Sequence, residues 1–375
     1  MKKGLLLSVV ASGFIFAGGN IAPAAPVAAP AAAPAACDFY GSIGARYEAI
    51  KNEAKANKWG KQDNTWKTTV VLGVNKNLGN GFGLGAEVAA TTGLGLKITD
   101  PKTKEDAELS QLFLTYKNGN TAIKAGRQAL PKSLSPWAWT DSTIGRLDTT
   151  FEGVVLVNTD VKDTTLVGAW IARAGSGSSF GNVNGKNAKG LFAVAAQNKS
   201  VANTTLTGTL YYITEMKAKS VWLSAETKAG SVDLGLQGAY AKASGATKSY
   251  AISAYAKTSL NGLGLKLVAT HLDNGATPLN LAGTSGVWGV GMGLVKGVES
   301  AGKRNLILLG ANYGLPSGKI YSNVGYETKT KNIGARVGYK FKVAGVNAKV
   351  EYRYRKDKAS GKKDQRVRVQ GVYKF

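Results

Sequence analysis

The chain has 375 residues, with 48 Lys+Arg against 23 Asp+Glu for a formal net charge of +25, and it holds 48 glycines, one cysteine and one histidine. One cysteine excludes a disulfide framework or Cys-rich zinc site, one histidine excludes a His-based metal cage, and 44% hydrophobic residues argue against a wholly disordered chain. No apolar run reaches the ~18 residues that a membrane-spanning helix needs, which leaves a large globular protein or one that crosses a membrane without helices.

Residues 1–24 read as a secretory signal peptide. Lys2 and Lys3 precede the apolar stretch from Gly4 to Gly19, small residues follow, and cleavage fits after Gly19 or Ala24. Up to residue 37 the chain is an Ala/Pro-rich tether, too poor in bulk to pack and kept extended by its prolines. Cys37 stands where a lipid-modified cysteine would. Pro34 replaces the apolar residue usual three positions earlier, so Cys37 reads as an ordinary thiol.

From residue 38 to the end helical spacing fails, and segments of about ten residues alternate apolar with polar or small residues. Eighteen such segments are centred near 44, 71, 87, 112, 124, 154, 168, 193, 208, 223, 236, 252, 267, 308, 323, 336, 350 and 370. Those near 105–117 and 189–213 are weakest, so sixteen strands is the alternative count. Tight-turn sequences follow alternate segments: Gly79-Asn80-Gly81, Asn118-Gly119-Asn120, Ala229-Gly230-Ser231, Asn261-Gly262 and Pro316-Ser317-Gly318. Longer polar stretches occupy the other connections, around 51–64, 97–106, 129–149, 174–188, 272–302 and 356–364; those near 214–219, 242–246 and 329–331 are short. All five prolines beyond residue 37 fall in loops or turns, as ladder hydrogen bonding requires.

The alternation is clearest at the end of the chain. Val346, Ala348, Val350, Tyr352 and Tyr354 share one face against Asn347, Lys349, Glu351, Arg353 and Arg355; Val367 to Phe375 and Ile333 to Phe341 repeat the pattern. Apolar faces of modest bulk, tipped with aromatics and backed by Arg and Lys, suit a transmembrane antiparallel β-barrel with lipid outside and water inside. A one-residue slip would put Lys349, Arg353 and Arg355 into lipid, at roughly 2–4 kcal/mol each near the midplane. Trp66, Tyr116, Trp170, Tyr211, Tyr212, Trp222, Tyr339 and Tyr352 lie near strand ends and suit interfacial girdles, some of them lining the pore instead.

Three stretches carry a resemblance. Residues 38–47, opening Asp38-Phe39-Tyr40-Gly41, are similar to the Tyr-Gly first strand of Gram-negative porins, and Val372-Tyr373-Lys374-Phe375 has the terminal Phe of outer-membrane barrels. Ala125-Gly126-Arg127-Gln128, followed by Arg146-Leu147-Asp148 and Phe151-Glu152-Gly153, looks like the epsilonproteobacterial (Campylobacter-type) major outer-membrane porins and their eighteen-stranded relatives. The Pro-Glu-Phe-Gly-Gly signature of the general-porin constriction loop is absent. The resemblance implies a bacterial outer-membrane location, a homotrimer, outer-membrane lipid and lipopolysaccharide as surroundings, and Phe375 as signal to the barrel-assembly machinery. It implies passive diffusion of small hydrophilic solutes and no cofactor.

It also implies that the third long loop, 129–149, folds inward and narrows the pore. Asp141, Arg146 and Asp148 then face basic wall residues, and Trp137 and Trp139 pack the loop against the wall. By strand parity Arg46, Lys124, Arg336, Lys349, Arg353, Arg355, Arg366 and Arg368 fall on the lumen face, with Arg127 and Arg173 at strand ends near the loop rim. Glu48, Glu87, Asp233 and Glu351 oppose them without balancing the sum, so the lumen is expected to favour anions weakly. The alternative keeps most of the charge on loops that touch lipopolysaccharide phosphates. Nucleic acid is not an expected partner, since the basic residues are spread over the whole chain and the signal peptide exports it. His271 stands without a nucleophile at elbow spacing, so no enzyme is read. The rival function is a surface adhesin or structural barrel, binding through loops such as 272–302.

Overall fold

The computed structural model describes residues 37–53, 65–93, 106–131, 136, 144, 147–176, 180–183, 190–245, 247–274, 287–290, 293–295 and 302–375. Its strands are β1 (Asp38–Asn52), β2 (Thr65–Gly79), β3 (Phe82–Thr92), β4 (Asp106–Asn118), β5 (Thr121–Gln128), β6 (Thr150–Asn158), β7 (Thr164–Gly175) and the two-residue β8 (Gly181–Asn182). They continue as β9 (Leu191–Asn198), β10 (Thr204–Ile213), β11 (Ala218–Ala229), β12 (Val232–Lys242), β13 (Ser249–Leu260) and β14 (Leu263–Asp273). The last are β15 (Arg304–Leu315), β16 (Gly318–Glu327), β17 (Ile333–Val343), β18 (Val346–Lys356) and β19 (Lys363–Lys374). All but β8 are staves of one antiparallel sheet, each paired with its neighbours in order. β7 pairs with β9 and β1 pairs with both β2 and β19, so eighteen staves close a barrel. Each of the eighteen sequence segments, including the weak ones, coincides with a stave.

The closing seam continues past the last strand residue. Gly41 N–H donates to the Phe375 carbonyl at 2.9 Å, and Phe375 N–H returns the bond at 3.1 Å. The Phe375 ring lies where a side chain on Gly41 would stand: a Cβ there would be 2.6 Å from the ring.

Period two fixes which face meets which medium. On β12, Leu234, Leu236 and Tyr240 are exposed outside while Gln237, Ala239 and Ala241 are buried inside; on β4, Leu112 and Leu114 are outside and Phe113 inside. The exposed large hydrophobics extend round the whole wall, far more than a water-facing surface carries, and they suit hydrocarbon. Aromatic pairs mark both margins of this belt: Phe82–Tyr116 (4.6 Å between centroids) and Tyr339–Phe341 (5.3 Å) near the short-turn rim, Tyr47–Trp66 (6.1 Å) near the long-loop rim. Trp170, Tyr212 and Tyr352 are outside as well. Tyr211 and Trp222 do not join the girdle. Their neighbours Leu210 and Leu223 take the outer face, which turns both rings into the barrel, where they are buried.

Short turns join β2–β3, β4–β5, β6–β7, β9–β10, β11–β12, β13–β14, β15–β16 and β17–β18 at one rim; the longer connections lie at the other. In the two-residue β13–β14 turn, Asn261 and Gly262 take φ of 47° and 81°, the left-handed pair that matches strand twist. The β17–β18 turn places Ala344 at φ 45° before Gly345, a region that costs a residue with a Cβ.

The hydrophobic core sits inside the barrel. Residues 287–290 and 293–295, parts of the β14–β15 connection, lie inside the lumen. There Val287, Val290, Leu294 and Val295 pack on Val268, Leu272, Leu306 and Leu308 of the wall. Trp288 is anchored by its backbone: its N–H donates to Gln237 Oε1 (3.1 Å) and its carbonyl accepts from the Thr270 hydroxyl (2.9 Å). Its ring meets Tyr255 edge-on at 4.6 Å. Gly334 and Gly325 make room, since a Cβ on Gly334 would fall 1.8 Å from the Leu294 carbonyl oxygen. The sequence placed 272–302 among the polar outside loops; its run Val287-Trp288-Gly289-Val290 is apolar and packs inside.

Candidate functional site

The filled half of the lumen leaves the opposite wall, β16 to β19 with β1 and β2, facing open space. Its inward side chains fall into rows set by strand register. Lys342, Asn347 and Val372 lie nearest the turn rim, and the row above them is Lys319, Lys340, Lys349, Gln370, Arg46 and Lys67, each directly paired with the next. The next row is Tyr321, Gly338, Glu351, Arg368, Glu48 and Thr65, and the next Asn323, Arg336, Arg353 and Arg366. Nearest the loop rim, Arg355 pairs with Asp364.

Three carboxylates tie these rows together. Glu48 accepts from Arg368 Nε (2.6 Å) and Arg366 Nη1 (3.1 Å) and lies 3.8 Å from Arg46. Glu351 accepts the Tyr321 hydroxyl at 2.6 Å and lies 3.6 Å from Lys349 and 3.9 Å from Arg368. Asp364 holds Arg355 at 2.7 Å and Arg353 at 3.4 Å. Six cations (Arg46, Lys349, Arg353, Arg355, Arg366 and Arg368) thus share three acids, and Arg336 and Lys340 stand beside them on the same wall. Lys340 and Arg336 lie on either side of the Tyr321 ring, 5.3 and 5.9 Å from its centroid. Such a wall carries excess positive charge in a partly desolvated setting, where each unit acts more strongly than in bulk water.

Several described residues of the β5–β6 connection lie inside the barrel or against this wall. Ala129 N–H donates to Gln111 Oε1 (3.1 Å), and Leu130 is buried. Ile144 reaches β1, where a Cβ on Gly44 would meet it at 3.0 Å. Between this connection and the basic wall lies a cavity of 1120 Å³ lined by Asp148, Ile144 and Leu130 on one side and Lys319, Lys340, Lys349 and Arg368 on the other. Asp148 therefore faces the basic wall. Trp137, Trp139, Asp141 and Arg146 lie outside the described residues.

The remaining basic residues stand apart from the wall. Lys124 is on the lumen face but is covered by Ala129, Leu130 and Pro131, its ammonium 3.6 Å over the Phe113 ring. At the loop rim Arg127 is hydrogen-bonded to Glu108 and, through Nε, to the Thr150 hydroxyl (2.8 Å). Arg173 is paired with Glu152. Phe180 lies over both guanidiniums, 3.8 Å from Arg127 and 5.1 Å from Arg173. These two arginines are joined to each other and not to the Arg336–Arg353–Arg366 row. Sequence reasoning passed over Lys67, Lys319 and Asp364, although the strand parity that singled out Arg46 and Arg366 marks them as inward too.

No protein-family model matches this chain, and no curated protein matches it by sequence. Solved structures do. OpdO of Pseudomonas aeruginosa superposes with a TM-score of 0.72 at 15% identity, over 90% of this chain and 97% of that one. A BenF-like porin from Pseudomonas fluorescens Pf-5 gives 0.71 at 15%, over 90% and 98%. OccK8 (OprE) of P. aeruginosa gives 0.70 at 14%, over 90% and 98%. With its closed barrel of eighteen antiparallel staves, the chain has the fold of these outer-membrane porins.

Proposed function

We propose that this protein is a bacterial outer-membrane porin, a water-filled channel for passive diffusion of small hydrophilic solutes, with a preference for anions. The single observation that carries this is the cavity between Leu130, Ile144 and Asp148 and a wall on which six cations share three carboxylates, with further basic residues beside them. An apolar outer belt supports the membrane setting, and likeness in fold to porins supports the channel. The Tyr40-Gly41 opening, the terminal Phe375 and the Arg127 to Gly153 section support kinship with the Campylobacter-type porins. The same resemblance carries a signal peptide over residues 1–24, the tether to residue 37, lipopolysaccharide contacts, delivery by the barrel-assembly machinery and a homotrimer.

Anion preference follows from fixed charge. A solute anion entering the cavity replaces water at guanidinium and ammonium groups that lack enough internal acceptors, whereas a cation meets like charge. Single-channel current of the purified protein in planar bilayers under a KCl gradient tests both parts. Ohmic steps with a reversal potential favouring chloride are expected. Cation preference overturns the role given to the basic wall, and no steps from folded protein overturn the porin. The inward packing of residues 287–290 and 293–295 counts against a barrel that uses this connection as an adhesive loop.

A further inference from the structure

Arg336, Arg353 and Arg366 stand abreast on the lumen wall, at directly paired positions on β17, β18 and β19. Neighbouring strands lie about 4.8 Å apart, and like charges opposite one another repel. Internal carboxylates relieve this row only in part. Asp364, 3.4 Å from Arg353, is held more closely by Arg355 at 2.7 Å; Glu48, 3.1 Å from Arg366, is held more closely by Arg368 at 2.6 Å. Arg336 makes no ion pair among the described residues and rests beside the Tyr321 ring. The Nε–H groups of Arg336, Arg353, Arg355 and Arg366 are all buried and have no acceptor. With no acceptor within the chain, these donors are left to water or to a bound ion.

The row is also walled on one side. Arg355 Nη1 donates to the Gly293 carbonyl at 3.4 Å, and Leu294 sits in the space left by Gly334, the residue paired with Arg355. The inward segment therefore borders the guanidiniums and limits the water that reaches them.

We propose that Arg336, Arg353 and Arg366 form a binding site for a compact multivalent oxyanion of the phosphate–sulfate class, favoured over a monovalent carboxylate. This deepens the porin reading and rests on it for a solvent-filled lumen. A carboxylate offers two oxygens in one plane, which reach two neighbouring forks, as Asp364 does for Arg355 and Arg353. A tetrahedral oxyanion directs its oxygens to several sides at once, so a single ion can accept from three adjacent forks. A phosphoryl group also brings a charge of about −1.5 to −2 at pH 7, with oxygens suited to the planar guanidinium.

The test is isothermal titration calorimetry on the full chain folded in detergent, in dilute chloride-free buffer at pH 8, with sodium phosphate, sodium sulfate and sodium acetate as probes. Phosphate and sulfate are expected to bind one per chain, at least tenfold more tightly than acetate. Arg336→Gln is expected to weaken phosphate at least tenfold and leave acetate unchanged; it removes no ion pair, and circular dichroism confirms the barrel. Arg336→Lys, which keeps the charge but loses the fork, is expected to restore only part of the affinity. Lowering the pH from 8 to 5.5 converts phosphate to the monoanion and is expected to weaken it alone, with sulfate as the unchanged control. Glycerol phosphate separates the sources: tighter binding than phosphate assigns the site to a phosphoryl-bearing solute, equal or weaker binding to the free ion. Equal affinity for phosphate and acetate, or an unchanged phosphate affinity in both Arg336 variants, overturns the proposal. Because binding in detergent needs no current, an anion-selective channel without this discrimination overturns the site alone, and phosphate binding by a non-conducting barrel overturns the porin alone.

Discussion

The ring of Tyr321 lies flat across Gly338: a Cβ on that glycine would sit 2.5 Å from the ring, and the phenol reaches over the strand to donate to Glu351 at 2.6 Å. The arrangement recurs at two more places. Tyr40 covers Gly73 and donates to Glu87 (3.1 Å), and Tyr255 covers Gly235 and donates to Glu226 (2.6 Å). In each case tyrosine, glycine and glutamate occupy one register row on three consecutive strands. The glycine opens a slot, the ring fills it, and the hydroxyl fixes a carboxylate against the wall. Gly338→Ala is expected to lift the ring and destabilise the barrel by about 1–3 kcal/mol, as overpacking does. Tyr321→Phe is expected to cost about 1 kcal/mol, the worth of one hydrogen bond. Urea unfolding followed by tryptophan fluorescence measures both.

Glu48 is the carboxylate on which Arg46, Arg366 and Arg368 converge, and its side chain is 7% exposed. Glu48→Gln leaves three desolvated guanidiniums sharing one fewer anion. A loss of roughly 3 kcal/mol is expected, in the range for breaking a buried pair from one side. The same variant is expected to move the reversal potential further toward chloride, so unfolding and bilayer current respond in opposite senses.

Gly334 admits the inward segment, since any side chain there meets the Leu294 carbonyl. Gly334→Ala is expected to push residues 293–295 off the wall while the staves stay paired. Single-channel conductance then rises. An unchanged conductance would show that this segment does not limit the path.

Ala344 holds φ at 45° in the β17–β18 turn. Ala344→Asn is expected to stabilise the hairpin by about 0.5–1 kcal/mol, because asparagine bears this conformation more easily. The urea midpoint reads it directly.

Asp160 joins two neighbouring turns, accepting from the Asn158 side chain at 2.5 Å and the Asn120 side chain at 3.1 Å. Those hydrogen bonds hold its carboxyl below the usual value of 3.8. A lowered native value favours folding above the unfolded one, and the benefit disappears as pH falls through the native value. Exchange protection of the 159–163 amides is therefore expected to be flat from pH 7 to 5 and to drop below pH 4. Asp160→Asn removes that drop.

The staves were legible because a lipid belt and an aqueous lumen impose period two with little ambiguity; Arg336, Arg353 and Arg366 follow from parity on three adjacent strands. Parity fails where the ladder slips. A register shift between Glu152 and Gly153 skips one residue of β7, and Arg173 is found with Glu152, Arg127 and Phe180 at the rim. Lys124 had the right face, but no strand pattern reports that Leu130 and Pro131 would cover it. The inward placement of 287–290 and 293–295 depends on tertiary packing, yet it left a trace in glycines at Gly235, Gly325 and Gly334, where a lumen-facing strand position had no side chain of its own.

The seam between Gly41 and Phe375 makes assembly depend on order of arrival. β1 finds its second partner only in β19, more than three hundred positions away along the chain. Until then both edges of a growing curved sheet stay unpaired, and unpaired edges invite foreign strands. A chain cut short anywhere before β19 is a ribbon that cannot shut. The final hydrogen bonds thus act as a checkpoint, separating finished cylinders from fragments that quality control can recognise by their open sides.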